Sequence, residues 1–371
     1  MVKIKHSIRL SKSVIGSEEI EAVTKVLKKE FLGMGEEVFK FENQLSSFVG
    51  VPAVCVSTGT AALQLALQAC DIGTGDEVLV QSLTYLASFQ AISATGAKPI
   101  ACEVNEDDLT INLKDAKKRL TINTKAIMPI HYSGNPGDLD SIYSFAKEND
   151  LRVIEDAAHA FGSFYKKKLI GSFGDICCFS FDGIKNITSG EGGSIVTRDK
   201  SVIDRVKDLR LLGVSKDSDN RYKNQRTWDY NVTSQGWRFH MSNIMAAIGI
   251  EQLKKFESFQ KKRKVKARLY QQLLSKVIGI ELLPIDYNNI TPHIFVIRVK
   301  NKKRDFLKKC LNDNNIQTGM HYKPNHLLDF YLTPSLPVTE KLYTEILTLP
   351  LHPDLSKQDV IFICDLIKDT L

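Results

Sequence analysis

The alternation of short apolar runs with amphipathic segments constrains this chain more than any other feature of its sequence. The strand-like runs are 53–57, 77–80, 98–102, 125–130 and 151–154. The helical patterns before and between them are 17–30, 36–48, 60–70, 85–95, 113–120 and 138–149. Strand and helix repeated at this spacing indicate parallel βαβ units. The sequence therefore predicts an α/β domain whose helices cover both faces of a buried, mostly parallel sheet.

The second half of the chain has a different organisation. Residues 214–236 are polar and lack an apolar period, which is typical of a long surface loop or of a segment that reaches a partner subunit. Strand-like runs are found at 176–181, 193–197 and 294–299. Helical patterns cover 200–212, 241–276, 303–314, 338–347 and 356–369. We therefore predict a large domain, residues 1–250, that includes the N-terminal helical segment, and a smaller C-terminal α+β domain, residues 251–371.

Charge and cysteine content argue against several classes of protein. The chain has 50 Lys and Arg against 43 Asp and Glu among 371 residues, a formal net charge of +7. One dense cationic cluster, KKRKVKAR at 261–268, lacks interleaved aromatic residues, so we interpret it as a solvated helix face and expect no nucleic-acid partner. The seven cysteines lack CxxC spacing, which favours reduced thiols and no metal site. No apolar stretch has the length of a membrane span or secretion signal, so we expect a cytoplasmic protein with no membrane partner.

Residues suited to binding a phosphate follow the first strand-like run. Ser57, Thr58, Gly59 and Thr60 directly precede the helical pattern AALQLALQA. The free N–H groups at a helix start, with hydroxyls beside them and a glycine that allows close approach, form a phosphate cradle. The same residues also suit an ordinary helix N-cap, so the pattern alone leaves both interpretations open.

Two further polar groups stand at the ends of later strand-like runs. Glu155 and Asp156 follow the run at 151–154, and adjacent buried acids need a cationic ligand group or an arginine, although Asp156 could instead cap the next segment. Lys185 leaves the run at 176–181 in a glycine-containing turn, where burial would make it a Schiff-base nucleophile; a solvated lysine is the alternative. A phosphate anchor, an acid for a ring nitrogen and a carbonyl-capturing amine are the three contacts that pyridoxal phosphate (PLP) needs.

Long motifs in the same order resemble those of one known family. They are STGTAALQLAL, TGDEVLVQSLTYLAS, AIMPIHYSGNPGDLDSI, IEDAAHAFGS, FGDICCFSFDGIKNITSGEGGSIVT and MSNIMAAIGIEQL. These strings are similar to the DegT/DnrJ/EryC1/StrS family of sugar aminotransferases, and the similarity extends from KFENQLSSF to HYKP and LTLPLHP. The resemblance implies the fold of a fold-type-I PLP-dependent transferase. It also implies a homodimer with shared active sites, in which residues 225–240 would reach the partner subunit.

The resemblance implies a role for each matching position. Lys185 would bind the cofactor covalently and move the proton during transamination, and Asp156 would pair with the ring nitrogen. The other implied cofactor contacts are Thr58, Gly59, Thr60 and Ser180 at the phosphate, Tyr85 on the ring, His159 near the ring hydroxyl, and Arg238. The candidates for substrate contact are Gly35, His131, Lys185, Arg238, His321 and Tyr322. No metal is expected.

Two departures from the family pattern affect these roles. The family often has Asn in a G-Y-N-Y-R string that reaches the neighbouring subunit's phosphate site, whereas this chain has Trp237, Arg238 and Phe239 there. Arg238 could bind the cofactor phosphate or a phosphate of the substrate, and both roles stay open. Asp182, Gly183 and Ile184 stand where many members have His-Pro-Thr.

The implied reaction moves the amino group of L-glutamate to a nucleotide-linked (dTDP or UDP) 4-keto-6-deoxyhexose. The product would be a 4-amino sugar for a surface polysaccharide such as a lipopolysaccharide O-antigen. Dehydratases of the family have His in place of the cofactor lysine, so Lys185 favours transamination, and the stretch KNITSGEGG is similar to members that aminate C4. A C3-aminating or dehydratase member, and a PLP-binding regulatory protein without turnover, are the alternatives.

Overall fold

A computed structural model describes residues 7–226 and 228–371. The strands are β1 (Ala53–Val56), β2 (Glu77–Gln81), β3 (Lys98–Cys102), β4 (Thr124–Met128), β5 (Arg152–Asp156), β6 (Phe164–Tyr165), β7 (Lys168–Leu169), β8 (Ile176–Ser180), β9 (Gly193–Thr197), β10 (Ile280–Leu282), β11 (Phe295–Val299) and β12 (Ile346–Leu349). The α-helices are α1 (Ser17–Lys28), α2 (Glu36–Val49), α3 (Gly59–Ala69), α4 (Leu86–Ala94), α5 (Leu113–Arg119), α6 (Leu139–Glu148), α7 (Lys200–Leu209), α8 (Asp217–Tyr222), α9 (Asn243–Leu274), α10 (Arg304–Asp313), α11 (Pro337–Glu345) and α12 (Lys357–Thr370).

The central sheet has seven strands in the order β1-β9-β8-β5-β4-β2-β3. Strand β9 runs antiparallel to both of its neighbours, and the pairs from β8 to β3 are parallel. Successive side chains of a strand point to opposite faces, so Leu79 packs in the apolar cluster on one face, and Val78 and Val80 pack in the cluster on the other. The predicted mostly parallel sheet with helices on both faces is confirmed.

The C-terminal part contains a three-stranded antiparallel sheet, β10-β11-β12, with its own apolar cluster. The prediction of a helix over 338–347 is wrong at its end, because α11 stops at Glu345 and Ile346–Leu349 forms β12. Every residue of β12 is buried, and Leu349 pairs with Phe295 of β11. Pro350 follows directly, and the residue before a proline favours extended backbone.

Helix α9 spans the predicted domain boundary. The division at residue 250 falls inside this helix, so the two-domain partition remains a prediction. The helix also corrects the interpretation of the cluster at 261–268 as a solvated face. Arg263 and Lys266 are buried, whereas Val265 is 38% exposed. The buried side chains Arg263, Lys266 and Tyr270 follow a helical period, because one face of α9 packs against the C-terminal part.

None of the helices within residues 7–226 and 228–371 combines the length and the apolar composition that a membrane crossing requires.

Candidate active site

A cavity of about 360 Å³ lies where β5 and β8 end and α3 begins. Ligands of open α/β sheets bind at the carboxyl ends of parallel strands, so this is the place where a site is expected. The predicted site residues that line it are Thr58, Gly59, Thr60, Tyr85, Asp156, His159, Ser180, Lys185, His321 and Tyr322. The structure therefore brings most of the residues predicted from the sequence to one cavity.

The start of α3 forms one end of the cavity. Thr58 is the N-cap residue, and its hydroxyl accepts a hydrogen bond of 3.0 Å from the Ala61 N–H. A Cβ at Gly59 would lie 2.8 Å from the Ser180 Cβ, so only glycine allows the helix start to approach Ser180 this closely. The result is a helix N-terminus with Ser180 beside it, which is a favourable place for a phosphate.

The glycine-rich turn before β9 supports the same end of the cavity. A Cβ at Gly193 would lie 2.8 Å from the Gly59 backbone nitrogen, so β9 passes directly against the loop that leads into α3. Gly190 has a φ of +82°, a conformation that favours glycine. This turn therefore packs against the phosphate end of the cavity.

Asp156 lies at the end of β5 and is 6% exposed. Its Oδ2 accepts a hydrogen bond of 2.7 Å from the Ser88 hydroxyl, and its Oδ1 accepts one of 3.2 Å from the Ala158 N–H. No arginine or lysine forms an ion pair with this carboxylate in the part of the chain that the structure describes. A fixed carboxylate of this kind suits the positively charged nitrogen of a bound heterocycle.

The neighbouring acid, Glu155, does not meet the arginine or ligand cation that the sequence suggested. Its Oε1 accepts a hydrogen bond of 2.5 Å from the Tyr143 hydroxyl, and its Oε2 lies 3.0 Å from His131 Nε2. His131 is 0% exposed and does not line the cavity, so the structure does not bring this predicted sugar contact to the site. Its ring instead packs against Glu155 behind the end of the sheet.

Gly35 and Arg238 also lie outside the cavity lining of their own chain. Gly35 precedes α2, where a Cβ would lie 2.8 Å from Asn243 Nδ2. Arg238 is exposed on the segment between α8 and α9, and its backbone pairs with Leu211. Neither residue therefore contacts a ligand in this cavity from the same subunit.

Lys185 follows β8 in the turn that the sequence predicted, and its N–H donates to the Asp182 carbonyl at 3.1 Å. Burial lowers the pKa of its amine, while the carboxylates of Asp182 and Asp156 act in the opposite direction. A lysine whose neutral form is favoured is a better nucleophile toward a carbonyl group. Lys185 and Asp156 line the same cavity, as the three-contact hypothesis requires.

A cluster of aromatic rings lies at the cavity. His159 Nε2 lies 3.0 Å from the Tyr322 hydroxyl, and the Tyr322 ring is 5.5 Å from the ring of Tyr85, which is 60% exposed. The ring of His293, which the sequence analysis did not single out, lies 4.5 Å from that of His159. A histidine beside the strand-like run at 294–299 was its only sequence signal. Burial lowers the pKa of His321 to about 4, so these rings surround the site in neutral form.

We expect acid to destabilise the protein through this cluster. Burial holds the pKa values of His159 and His293 well below their ordinary range, whereas in the unfolded chain both titrate near 6.5. Below about pH 6.5 the unfolded state binds more protons, so the free energy of unfolding falls as the pH is lowered, by about 1 to 2 kcal/mol per histidine at about pH 5.

Urea denaturation at neutral pH and at about pH 5 measures this loss. The variant His159→Gln removes one titrating ring and keeps a hydrogen-bonding side chain, so its acid-induced loss should be smaller than that of the wild type. An equal loss in both proteins would contradict the assignment to His159.

The residues present fit PLP. The start of α3 with Ser180 would hold the phosphate, Asp156 would face the ring nitrogen, and Lys185 would take the aldehyde. PLP supplies an electron sink for a reaction at an amine-bearing carbon. Fold and site together define a PLP-dependent transferase of fold type I.

Comparison with known proteins gives the family. The sequence profile of the DegT/DnrJ/EryC1/StrS aminotransferase family matches residues 13–368, so the chain belongs to this family of PLP-dependent sugar aminotransferases. The spore coat polysaccharide biosynthesis protein SpsC of Bacillus subtilis is 36% identical over 99% of this chain and 98% of its own length.

Solved structures give the same result. The aminotransferase TlmJ from Streptoalloteichus hindustanus is 31% identical, with a TM-score of 0.91 over 98% of both chains. The putative sugar aminotransferase Spr1654 from Streptococcus pneumoniae, solved in a PLP form, is 28% identical, with a TM-score of 0.90 over 98% of both chains. The predicted fold class and cofactor are confirmed.

Proposed function

We propose that the protein transfers the amino group of L-glutamate to a dTDP- or UDP-linked 4-keto-6-deoxyhexose, and that the 4-amino sugar serves surface polysaccharide biosynthesis. The observation that carries the proposal is the buried amine of Lys185 in one cavity with the Asp156 carboxylate. A dehydratase of this family would need no such lysine. The C4 preference is supported by the similarity of KNITSGEGG to family members that aminate C4, and two residues of this stretch, Lys185 and Glu191, line the cavity.

In the proposed transamination, the residues that line the cavity have different roles. Asp156, oriented by Ser88 and Ala158, provides the negative charge that stabilises a protonated ring nitrogen. Lys185 Nζ in its neutral form removes the Cα proton of the amino donor and returns it as a general acid. Tyr85 and Tyr322, whose rings lie 5.5 Å apart, line the cavity and would restrict the orientation of the substrate.

A spectroscopic assay tests this function directly. The purified yellow protein should lose its visible absorbance when L-glutamate is added and regain it when the correct keto-sugar is added. A panel of dTDP-, UDP- and GDP-linked keto-sugars identifies the acceptor, and NMR of the product locates the new amine. A spectrum that ignores glutamate would support the regulatory alternative, and an amine at C3 would contradict the C4 assignment.

The proposal includes a homodimer in which the segment between α8 and α9 completes the partner's site. Residues 228–235 are all exposed, and they include Trp228 and Tyr230, which are 84% and 60% exposed. Large apolar side chains in an exposed segment are typical of a protein interface. An exposed Arg238 at the base of this segment is then available to a phosphate in the neighbouring subunit.

We expect Arg238→Ala to weaken binding of PLP or of the nucleotide-sugar about tenfold, the effect of one charge-assisted hydrogen bond. The melting temperature of the apoprotein should not change, because the side chain is exposed. Arg198→Ala, an exposed arginine outside residues 225–240, is the matched control. Equilibrium titrations of both ligands measure the effect, and unchanged affinities for both would remove Arg238 from the site.

A further inference from the structure

A buried arginine lies behind the catalytic lysine. Arg263 extends from the middle of α9 and is 2% exposed. Its Nη1 donates to the carbonyls of His293 and Leu351, both at 3.1 Å, and its Nη2 donates to the Lys185 carbonyl at 3.4 Å. One guanidinium thus joins the turn that carries Lys185 to the segments that precede β11 and follow β12.

This guanidinium has no acidic partner. Across residues 7–226 and 228–371 no carboxylate forms an ion pair with Arg263, and burial lowers its pKa to about 10. Burying a charge without a counter-charge costs folding free energy, so stability alone does not favour an arginine here. The position of its donors, directed at the backbone of the catalytic turn, gives a different reason for its presence.

A small cavity separates Arg263 from the catalytic turn. Its volume is about 10 Å³, close to the space that one water molecule needs. Its polar lining includes Ser13, Lys185, Asn186, Thr188, Gln252 and Arg263. Two buried polar atoms of these residues have no hydrogen-bond partner within the protein, the donor Arg263 Nε and the acceptor Asn186 Oδ1.

The two unpartnered atoms match one water molecule. A water both accepts a hydrogen bond from an N–H group and donates to a carbonyl oxygen, whereas an anion would satisfy only the arginine. The Asn186 amide nitrogen already donates to the Phe161 and Thr291 carbonyls at 3.1 and 3.4 Å, so its oxygen is the atom that lacks a partner.

We propose that Arg263 and Asn186 form a site for one buried water molecule, and that this assembly positions Lys185 for proton transfer. The guanidinium holds the Lys185 carbonyl, and the water joins the guanidinium to the next side chain, Asn186. These contacts fix the backbone on both sides of the Lys185 Cα, while the amine faces the active-site cavity. The proposal rests on the function above only through the role of Lys185.

The test compares holoenzymes carrying Arg263→Gln and Arg263→Lys with the wild type. Misplacing a catalytic group by about 1 Å can reduce a rate about 10²-fold, so we expect Arg263→Gln to slow the single turnover with L-glutamate by about 10- to 100-fold. Removing a buried cation should also raise the midpoint of the pH titration of the visible absorbance, which reports protonation at the Lys185 nitrogen. Arg263→Lys keeps the charge, so its midpoint should stay closer to the wild-type value.

Arg268→Gln, an exposed arginine on the same helix, is the matched control and should stay within about twofold of the wild-type rate. A folded Arg263→Gln enzyme with wild-type rate and titration midpoint would overturn the proposal, and so would a lowered melting temperature as its only defect. If the Arg263 variants do not fold, the same rate and titration measurements on Asn186→Ala, together with a high-resolution crystal structure of the wild type, test the proposal. Density for a water between the two side chains supports the site, and a dry cavity rejects it.

The experiment distinguishes a failure of this proposal from a failure of the proposed aminotransferase function. A wild-type holoenzyme that does not respond to L-glutamate would contradict the amino donor. The titration of the absorbance band requires no substrate, so it still tests the role of Arg263.

Discussion

The variant Lys185→Ala should lose at least about 10⁴-fold of the aminotransferase rate and still fold. Two functions disappear together, because the amine both binds the cofactor covalently and carries the proton between substrate atoms. Alanine leaves no base in its place, because the Asp156 carboxylate is held by Ser88 and Ala158 and the Asp182 carboxylate accepts from the Ile184 N–H. The side chain is not part of an ion pair within the described ranges, so the fold should not depend on it.

Single-turnover absorbance with L-glutamate measures the loss, and borohydride reduction followed by mass spectrometry tests for a covalent cofactor. The wild type should retain one PLP at Lys185 after reduction, and the variant should retain none. Lys167→Ala, an exposed lysine between β6 and β7, is the control and should behave as the wild type. Reduction of PLP onto another lysine at full activity would contradict the assignment of Lys185.

The residues at strand ends were predictable from the sequence for a geometric reason. The carboxyl ends of parallel strands meet at one edge of a sheet. Because β5 and β8 are adjacent parallel strands, Asp156 and Ser180, which end them, lie close together. The Gly59 position follows from the short loop into α3. The positions of these residues can be predicted from the local sequence pattern and the direction of the strands alone.

The residues that the sequence did not reveal depend on packing between distant segments. Arg263 looked solvated because it stands in a cationic cluster, and only the contact of α9 with the C-terminal part buries it. His293 joins the site through a fold contact with His159 across more than a hundred residues. The sequence pattern predicts a helix over the start of β12, because the pairing of β12 with β11 joins segments that are distant in the sequence. Long-range contacts of this kind leave no periodic signal in one sequence.

A second large effect is expected from Asp156→Asn. The substitution keeps the shape of the side chain but removes the charge that faces the ring nitrogen, and losing a positioned electrostatic contact of this kind costs about 10²- to 10³-fold in rate. The carboxylate is 6% exposed and accepts hydrogen bonds from Ser88 and Ala158, and asparagine keeps its shape and one acceptor oxygen, so we expect the apoprotein to fold with similar stability. Activity should therefore fall while the stability of the apoprotein changes little.

Two measurements separate these effects. The single-turnover rate with L-glutamate should fall, and the melting temperature of the apoprotein should change little. The stabilisation that PLP adds should shrink, because a ligand that binds the folded state less tightly stabilises the protein less. Asp140→Asn, an exposed acid on α6, is the matched control and should change none of these values. If Asp156→Asn instead lowers the apoprotein's stability and leaves the rate intact, the carboxylate serves the end of β5 rather than the ring nitrogen, and the cofactor orientation argued here is wrong.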